Sequence, residues 1–580
     1  MLQKLKQTFL VINLAVLSAT SFVLAAESNN APGNKRLSRT ERPVDIKIVP
    51  IGPTQEIVDQ IKTTVERSAA VQKELGGTNY RLISFGYVDQ DDKATVGKFD
   101  PQQFLVVFYD YTNDRTLVAQ GAFASPENVR VFEDASKPVP SEEELDAAGA
   151  IVKNDPQFGS AIKSNRLRIF QAMPAISVDE KTGERFVNIG LESLDSSTRN
   201  EVVSVSFKRG EVVRYNNLAP PTSRAAPTAC GIPVGSGGAS GSTGQYQLTV
   251  SQNGTTLWEM LVIRPAASSG TNASGIEVRD VRYRGKMVLK RGHVPILDVQ
   301  YKEGQCGPYR DWEDQEDGFQ APTTGATDPA PGIRLLGPGQ IATTALESGN
   351  DTGNFKGVAV YTQNNDTVLV SEMAAGWYRY IMEWRFDNDG TIRPRYGFGA
   401  TNNSCVCFVH NHHAYWRFDF DIVNPNNNIF QVERGRKFIT PITTEKSLLR
   451  NYQTNRSLLI QNGSGDEAYM LTPNLTDGVV DAFGKSDFWI LRYKNVVGGT
   501  PVQNEIDDGV TCVTCSGLSG AIQIDPYVNG ESLENQDLVV WYGTHFVHAD
   551  GANTLNPDRT GRTILSGSHV VGPDIRPIRW

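Results

Sequence analysis

The sequence predicts a mainly β protein, with a large antiparallel β-sandwich preceded by two small α+β domains. A helical pattern followed by several strand patterns occurs twice before residue 216. A stretch rich in Pro and then in Gly and Ser follows at 216–244. Beyond it, apolar and polar residues alternate and long helical patterns are absent, which favours antiparallel sheets packed face to face.

The N-terminal segment 1–26 predicts export. Lys4 and Lys6 precede the apolar stretch TFLVINLAVLSATSFVLAA, which ends in the small residues Ala25 and Ala26. This arrangement is typical of a secretory signal peptide, so we expect a secreted or periplasmic protein. No later stretch approaches the roughly 20 apolar residues of a membrane span. A net charge of -9 gives no electrostatic footprint for nucleic acid.

Two small domains and a linker are expected before the sandwich. The first, 45–138, combines the helical pattern TQEIVDQIKTTVERSAAVQKEL with the strands YRLISFGYV, QQFLVVFYDY and TLVAQGAF. The second, 139–215, begins with Ser141 and Glu144 in a capping-box pattern before a helix, and three strand patterns follow. After the linker, the sandwich occupies 245–580.

The distribution of histidines indicates a metal site. Five of the seven lie in two short clusters, His410, His412 and His413, then His545 and His548. Residues two apart on a strand face the same side, so His410 and His412 can converge on one ion. Three imidazoles suit copper, zinc, iron or nickel and leave coordination positions open for chemistry. The alternative is that the cluster is incidental, because short HxH strings also occur in exposed loops.

Several segments together resemble a known family. DGTIRPRYGFGA, HNHHAYWRFDFDI, ITTEKSLLRNYQTNRSLLIQN and DLVVWYGTHFVH occur in the same order and with the same character as in the catalytic domain of the copper-dependent amine oxidases. The resemblance runs from about TLWEMLVIRP to His548, roughly half of the chain. It implies that the sandwich is a catalytic domain and that the two small domains before it are structural.

The resemblance also implies the ligands of two ions. The family's copper ligands fall on His410, His412 and His548, which leaves His413 and His545 as neighbours with an outer or structural role. The ligands of a structural calcium ion fall on Asp419, Asp421 and Asp537. Hard carboxylate oxygens suit calcium, whereas imidazoles suit copper.

The family's cofactor is a topaquinone made from a tyrosine of the chain, and the segment EWRFDNDGTI places that tyrosine at Tyr378. The family pattern is Thr, two variable residues, Asn, the tyrosine, an acid, then Tyr or Asn. This chain has Ala374, Trp377, Tyr378, Arg379 and Tyr380, so only the cofactor tyrosine and Tyr380 fit. An indole cannot supply the amide hydrogen bonds of the Asn, and the arginine reverses a charge. The alternative is an unmodified core tyrosine.

Amine oxidation also needs a general base. By resemblance, Tyr301 ends the strand that leads to the site, Tyr309 is the substrate gate and Asp311 is the catalytic base. Because the loop is crowded with acids, Asp314 and Asp317 are alternatives to Asp311. An exposed, solvated loop is the other interpretation of this acidic run.

The implied function is an exported homodimeric oxidase that converts a primary amine and molecular oxygen to an aldehyde, ammonia and hydrogen peroxide. The alternatives are a copper-binding relative without amine turnover, and an exported metal or adhesion module. Cys405 and Cys407 could join Cys512 and Cys515 in a four-thiolate zinc site, although cross-links are favoured in an oxidising compartment.

Overall fold

The computed structural model describes most of the chain after residue 42. The described residues are 43–87, 102–134, 137–138, 140–179, 181–195, 197–198, 201–214, 244–268, 274–301, 309–310, 315–478, 486–493, 496–497, 500–501, 524–548, 556–557, 563–564 and 570–580. The predicted signal peptide and nearly all of the predicted linker therefore lie outside them.

The first described elements form a small α+β unit and one strand of the sandwich. They are β1 (Asp45–Ile51), α1 (Gln55–Arg67), α2 (Ala69–Leu75), β2 (Tyr80–Tyr87), β3 (Gln103–Asp110), β4 (Arg115–Ala122) and β5 (Ser125–Asp134). β2 to β5 pair in sequence order, and the two helices pack against β5. β1 instead pairs with a strand of the large sheet, so the segment that begins the first predicted domain belongs to the sandwich.

The second small unit repeats this plan. Its elements are α3 (Glu142–Asn154), α4 (Gly159–Lys163), β6 (Leu167–Val178), β7 (Arg185–Ser193), β8 (Glu201–Ser206) and β9 (Glu211–Arg214). Ser141 caps α3 as predicted, since its hydroxyl accepts from the Glu144 amide. Glu144 does not complete the capping box, because its buried carboxylate pairs with Arg185 at 2.5 Å and accepts from the Tyr111 hydroxyl at 2.5 Å.

Most of the remaining strands build the sandwich, and two short pairs form separate two-stranded sheets. They are β10 (Gln245–Gln252), β11 (Thr255–Ile263), β12 (Glu277–Tyr283), β13 (Lys286–Tyr301), β14 (Tyr309–Arg310), β15 (Thr327–Ala330), β16 (Ile333–Leu335), β17 (Val358–Gln363), β18 (Asp366–Ala375), β19 (Tyr378–Asp387), β20 (Ile392–Ala400), β21 (His410–Phe420), β22 (Asn427–Glu433), β23 (Phe438–Ile442), β24 (Lys446–Leu448), β25 (Ser457–Asn462), β26 (Ala468–Thr472), β27 (Phe488–Arg492), β28 (Val496–Val497), β29 (Thr500–Pro501), β30 (Leu538–His548), β31 (Asn556–Pro557), β32 (Thr563–Ile564), β33 (Val570–Val571) and β34 (Asp574–Arg579). The one α-helix among them is α5 (Ala345–Ser348), within the part of the chain that the structure describes.

Two large sheets face each other. The first has the order β1-β10-β11-β12-β13-β21-β30-β27-β24, and the second β15-β16-β17-β18-β19-β20-β34-β26-β25-β22-β23. β16 and β17 are parallel, whereas the pairs that carry the site, β13–β21, β21–β30, β18–β19 and β19–β20, are antiparallel. Trp384 of β19 meets Trp416 of β21 edge-on across the buried core, with ring centroids 5.5 Å apart. The predicted mainly β fold with an antiparallel sandwich is confirmed.

No helix in the described part of the chain could cross a bilayer. The longest, α1 and α3, have 13 residues each, whereas a spanning helix needs roughly 20.

Candidate metal and tyrosine site

Three histidines converge between the two sheets. Strand alternation directs His410 and His412 of β21 into the core, on the same face as Ala414 and Trp416. β30 lies beside β21 in antiparallel register and places His548 directly opposite His410. All three imidazoles are buried, and one ring nitrogen of each lies within 4.8 Å of the others. The structure thus brings together the three residues that the sequence singled out as copper ligands.

The His410 ring is held in one orientation by the backbone. Its Nδ1 lies 2.7 Å from the carbonyl oxygen of Phe408, and because a carbonyl can only accept, Nδ1 carries the hydrogen. Nε2 then presents its lone pair to the site, 3.0 Å from Nδ1 of His548. A backbone acceptor on the far nitrogen is a common way of fixing the tautomer of a metal-binding histidine.

The site favours neutral imidazoles. Burial, and then the proximity of His548, lower the pKa of His410 to about 3, although the Phe408 carbonyl acts in the opposite direction. His410 is therefore unprotonated at neutral pH, the form that binds metals. Three imidazoles whose ring nitrogens converge fit a borderline transition metal such as copper and would leave coordination positions for further ligands.

Tyr378 faces the histidines from the second sheet. β18 and β19 are joined by the two-residue turn Gly376–Trp377, in which Gly376 has a φ of 59°, and Tyr378 is the first residue after it. A positive φ at the first turn residue is typical of tight hairpins, and glycine adopts it without steric cost. The buried Tyr378 ring lies 4.7 Å from His412 and 5.5 Å from His410, between ring centroids.

Trp377 is held by packing with the second small unit. Its ring, 4% exposed, lies 5.5 Å from Phe170 of β6 and 6.1 Å from Tyr378, between ring centroids. Its carbonyl accepts from the Thr401 amide at 2.7 Å and from the Thr401 hydroxyl at 3.1 Å. An aromatic contact from β6 therefore lies where the family has an asparagine.

Arg379 projects to the opposite side of β19 from Tyr378, where it forms buried ion pairs with Asp351 and Asp317. Asp317, an alternative to Asp311 as the base, is thus engaged with an arginine. Asp311 and Asp314 lie outside the described residues.

Of the predicted substrate-side tyrosines, only the backbone is described. β13 ends at Tyr301, which pairs with His410, and Tyr309 of β14 pairs with Val299 of β13. Tyr301 therefore belongs to the strand next to the one that carries the histidine pair, and Tyr309 to the strand beyond it.

A carboxylate cluster lies farther along the same strands. One oxygen each of Asp419, Asp421 and Asp537 falls within 4.8 Å of the others; the first two side chains are buried and the third is partly exposed. Asp419 is on the opposite face of β21 from His410 and His412. Three converging carboxylates suit a hard cation such as calcium, which would compensate their mutual repulsion.

The other histidines lie apart from this site. His413 and His545 face each other on the outer side of the first sheet, with ring centroids 5.3 Å apart, and Nε2 of His545 is 3.3 Å from Oδ1 of Asp487. His293 is buried near Glu277, whereas His569 lies outside the described residues.

The cysteines just before β21 are cross-linked. Cys405 and Cys407 both belong to disulfides, so neither offers the thiolate that the alternative zinc site requires. Cys512 and Cys515 lie outside the described residues.

Three side chains at the site were not found from the sequence: Phe170, Asp351 and Glu372. A buried arginine at position 379 does require acidic partners, but no local pattern indicates which acids supply them.

Fold and site define a two-sheet β-sandwich with a buried three-histidine centre facing a tyrosine. No protein-family model matches the sequence, and no curated protein sequence is similar to it. Solved structures do share the fold. A copper-containing benzylamine oxidase from Hansenula polymorpha superposes with a TM-score of 0.52 at 12% identity, over 93% of this chain and 94% of that one. A lysyl oxidase from Pichia pastoris superposes with a TM-score of 0.51 at 11% identity, over 90% and 88%. The chain therefore has the fold of the copper amine oxidases.

Proposed function

We propose that this protein is an exported copper-dependent amine oxidase, which converts a primary amine, oxygen and water to an aldehyde, ammonia and hydrogen peroxide. The observation that carries the proposal is the burial of the Tyr378 ring against His410 and His412, with His548 opposite. A tyrosine within reach of an imidazole metal centre is what self-processing to a quinone requires. The shared fold supports the proposal.

The three histidines would hold copper. Copper bound there would supply the oxygen chemistry that converts the Tyr378 ring to topaquinone, and that quinone would supply the electron sink for amine oxidation. The Phe408 carbonyl keeps His410 in the metal-binding tautomer. The core around Tyr378, which includes Tyr380 stacked at 5.7 Å, excludes bulk water from the ring.

The substrate-side roles rest on the resemblance. Asp311 would accept the proton from the carbon next to the amine nitrogen, Tyr309 would gate the entry of substrate and Tyr301 would line the site. Asp419, Asp421 and Asp537 would hold calcium and thereby tie β21 to β30. The active form would be a homodimer.

A second candidate is a copper-binding relative without amine turnover. The observation that favours it is the pair of substitutions around the tyrosine, Trp377 and Arg379, since the first replaces an amide by an indole and the second reverses a charge. Under this alternative, copper binds at the histidines and Tyr378 remains a tyrosine.

One experiment separates the two candidates. The mature protein is prepared without copper, copper(II) is added under air, and the visible spectrum is recorded before and after phenylhydrazine, with Tyr378→Phe as the control. A band that grows with copper, shifts with the hydrazine and is absent in the control supports the amine oxidase. Stoichiometric copper without a band would reject it in favour of the copper-binding relative.

A further inference from the structure

Behind Tyr378, on the outer face of β19, Arg379 lies within a buried group of three carboxylates. One oxygen each of Asp317, Asp351 and Glu372 falls within 4.8 Å of the others. Nε of Arg379 is 2.5 Å from Oδ2 of Asp317 and 2.5 Å from Oδ1 of Asp351, and Nη2 donates to Oδ2 of Asp351 at 3.0 Å. The positive charge of Arg379, at a position where the family has an acid, is therefore compensated by buried carboxylates.

Three separate segments build this group. Asp317 is fixed alongside β18, because its amide donates to the Glu372 carbonyl at 2.8 Å. The loop after α5 brings in Asp351, and a Cβ added to Gly353 of that loop would lie 2.0 Å from the carbonyl carbon of Gly318. The two acid-bearing loops can approach this closely only because Gly353 has no Cβ.

Glu372 connects the group to the start of α5. Its Oε2 accepts from the Ala345 amide at 2.8 Å, while Oε1 is buried with no hydrogen-bond partner among the described residues. Burial, and then the negative charge of Asp317, raise the pKa of Glu372 well above its usual range. A neutral Glu372 leaves two carboxylates, Asp317 and Asp351, for the one guanidinium.

The guanidinium of Arg379 also donates hydrogen bonds to the backbone of the turn. Nη1 of Arg379 donates to the carbonyl of Tyr378 at 2.9 Å and to the carbonyl of Gly376 at 3.3 Å. The arginine therefore joins the anchored carboxylates to the residues that flank Trp377. Because Tyr378 directs its ring to the other face of the same strand, the location of this turn sets the location of the ring.

We propose that Arg379 is a positioning residue, whose ion pairs with Asp351 and Asp317 fix the Gly376–Trp377 turn and thereby hold the Tyr378 ring against His410 and His412. This inference rests on the proposed function in one respect, the cofactor role of the Tyr378 ring; the anchoring of the turn does not depend on it. Arg379 thus anchors the tyrosine in place of the family's asparagine, and the acids that hold the arginine come from other segments of the chain.

The first test needs no cofactor. Amide hydrogen exchange of peptides covering 374–381 is compared in copper-free wild type, Arg379→Gln and Arg385→Gln. Arg385 is the matched control, because it is a buried, ion-paired arginine on the same face of β19, bound to Asp366 and Glu383 at the far end of the strand. We expect exchange in this region to be about tenfold faster or more in Arg379→Gln, and unchanged in the control.

The second test follows the copper-dependent quinone band. We expect Arg379→Gln to form it about ten- to a hundredfold more slowly than wild type, since a ring displaced by about 1 Å loses its reactive geometry. Arg379→Lys keeps the charge but not the forked contact with Tyr378 and Gly376, so it should be intermediate. Copper content should be unchanged in both.

The outcomes separate the two proposals. Unchanged exchange and band formation in Arg379→Gln, or equal effects in Arg385→Gln, would overturn the positioning role. A wild type without a band would reject the proposed function, while the exchange comparison would still decide whether Arg379 anchors the turn. If Arg379→Gln does not fold, Asp351→Asn, which removes one ion pair and keeps the arginine, is measured in its place with the same expectations.

Discussion

His410 and His548 occupy directly opposite positions on β21 and β30, with Nε2 of the first 3.0 Å from Nδ1 of the second. The two residues are 138 positions apart in the chain, so the centre exists only once these strands have paired. This register makes His548 as necessary to the site as the local pair His410 and His412.

Replacing His548 should therefore abolish tight copper binding. We expect His548→Ala to weaken copper affinity by more than about a hundredfold, since removing even an outer partner of a metal ligand costs about 10- to 100-fold. The measurement is copper content after dialysis against a competing chelator. His413→Gln is the control, because His413 adjoins His412 but faces the other side of the sheet. Equal copper retention in His548→Ala and wild type would contradict the assignment.

Calcium should stabilise the protein through the carboxylates where β21 ends and β30 begins. One oxygen each of Asp419, Asp421 and Asp537 lies within 4.8 Å of the others, so a calcium ion bound by all three would offset the repulsion between the carboxylates. Calcium at a hundred times its Kd should add about 2.7 kcal/mol to the free energy of unfolding. Thermal unfolding with calcium, with magnesium and with a calcium chelator measures this effect, and Asp421→Asn should reduce it. A calcium-induced rise in Tm that persists unchanged in Asp421→Asn would place the ion elsewhere.

Acid should destabilise the fold in part through Glu277. Burial acts to raise the pKa of this carboxyl, but Arg279, at 2.5 Å from Nε to Oε1, and Arg291, at 3.1 Å, outweigh it and hold the pKa well below its usual range. A lowered folded-state pKa gives stability that is present above the unfolded value of about 4.3 and is lost as the pH falls below it.

Glu277→Gln should consequently cost about 3–5 kcal/mol at pH 7, the usual effect of breaking a buried ion pair. Its unfolding free energy should also depend less on pH below about 4 than that of wild type. Denaturant unfolding at several pH values measures both quantities. Parallel pH curves for variant and wild type would show that this carboxyl is not the group responsible.

The fold and the histidine pair of the candidate metal site could be predicted from the sequence because both depend on short-range periodicity. Alternation along β21 correctly predicts that His410 and His412 share a face, and the same alternation separates His413 from them. The sandwich follows from the same signal repeated over many strands. His548 needed the family resemblance, because no local pattern shows which distant strand pairs with β21.

Contacts between segments that are distant in the chain could not be predicted from the sequence. Glu144 has the right spacing for a capping box, yet the structure uses it to neutralise Arg185, 41 residues away. Asp351, which pairs with Arg379, lies in a loop whose course depends on tertiary packing. A departure from a family motif shows that compensation is needed, and only the folded chain shows where it comes from.

The contact between Trp377 and Phe170 predicts that restoring the family's asparagine at position 377 will not improve the site. Trp377→Asn reintroduces the amide of the family pattern but removes a buried indole that packs on Phe170 and Tyr378. We expect a loss of about 3–5 kcal/mol in unfolding free energy, the usual cost of truncating a buried aromatic residue. Quinone formation should not improve, because the ring of Tyr378 loses a neighbour that confines it.

A double-mutant cycle with Phe170→Ala isolates this contact. The coupling energy between positions 170 and 377 should be about 0.5–1.5 kcal/mol, the value of an aromatic pair beyond its burial. Phe104→Ala is the control, since it removes a buried ring that packs on Phe85 and Phe123 in the first small unit, away from the turn. Additive effects of Phe170→Ala and Trp377→Asn would mean that β6 does not support the turn, whereas coupling would show that the second small unit helps to hold Tyr378 in place.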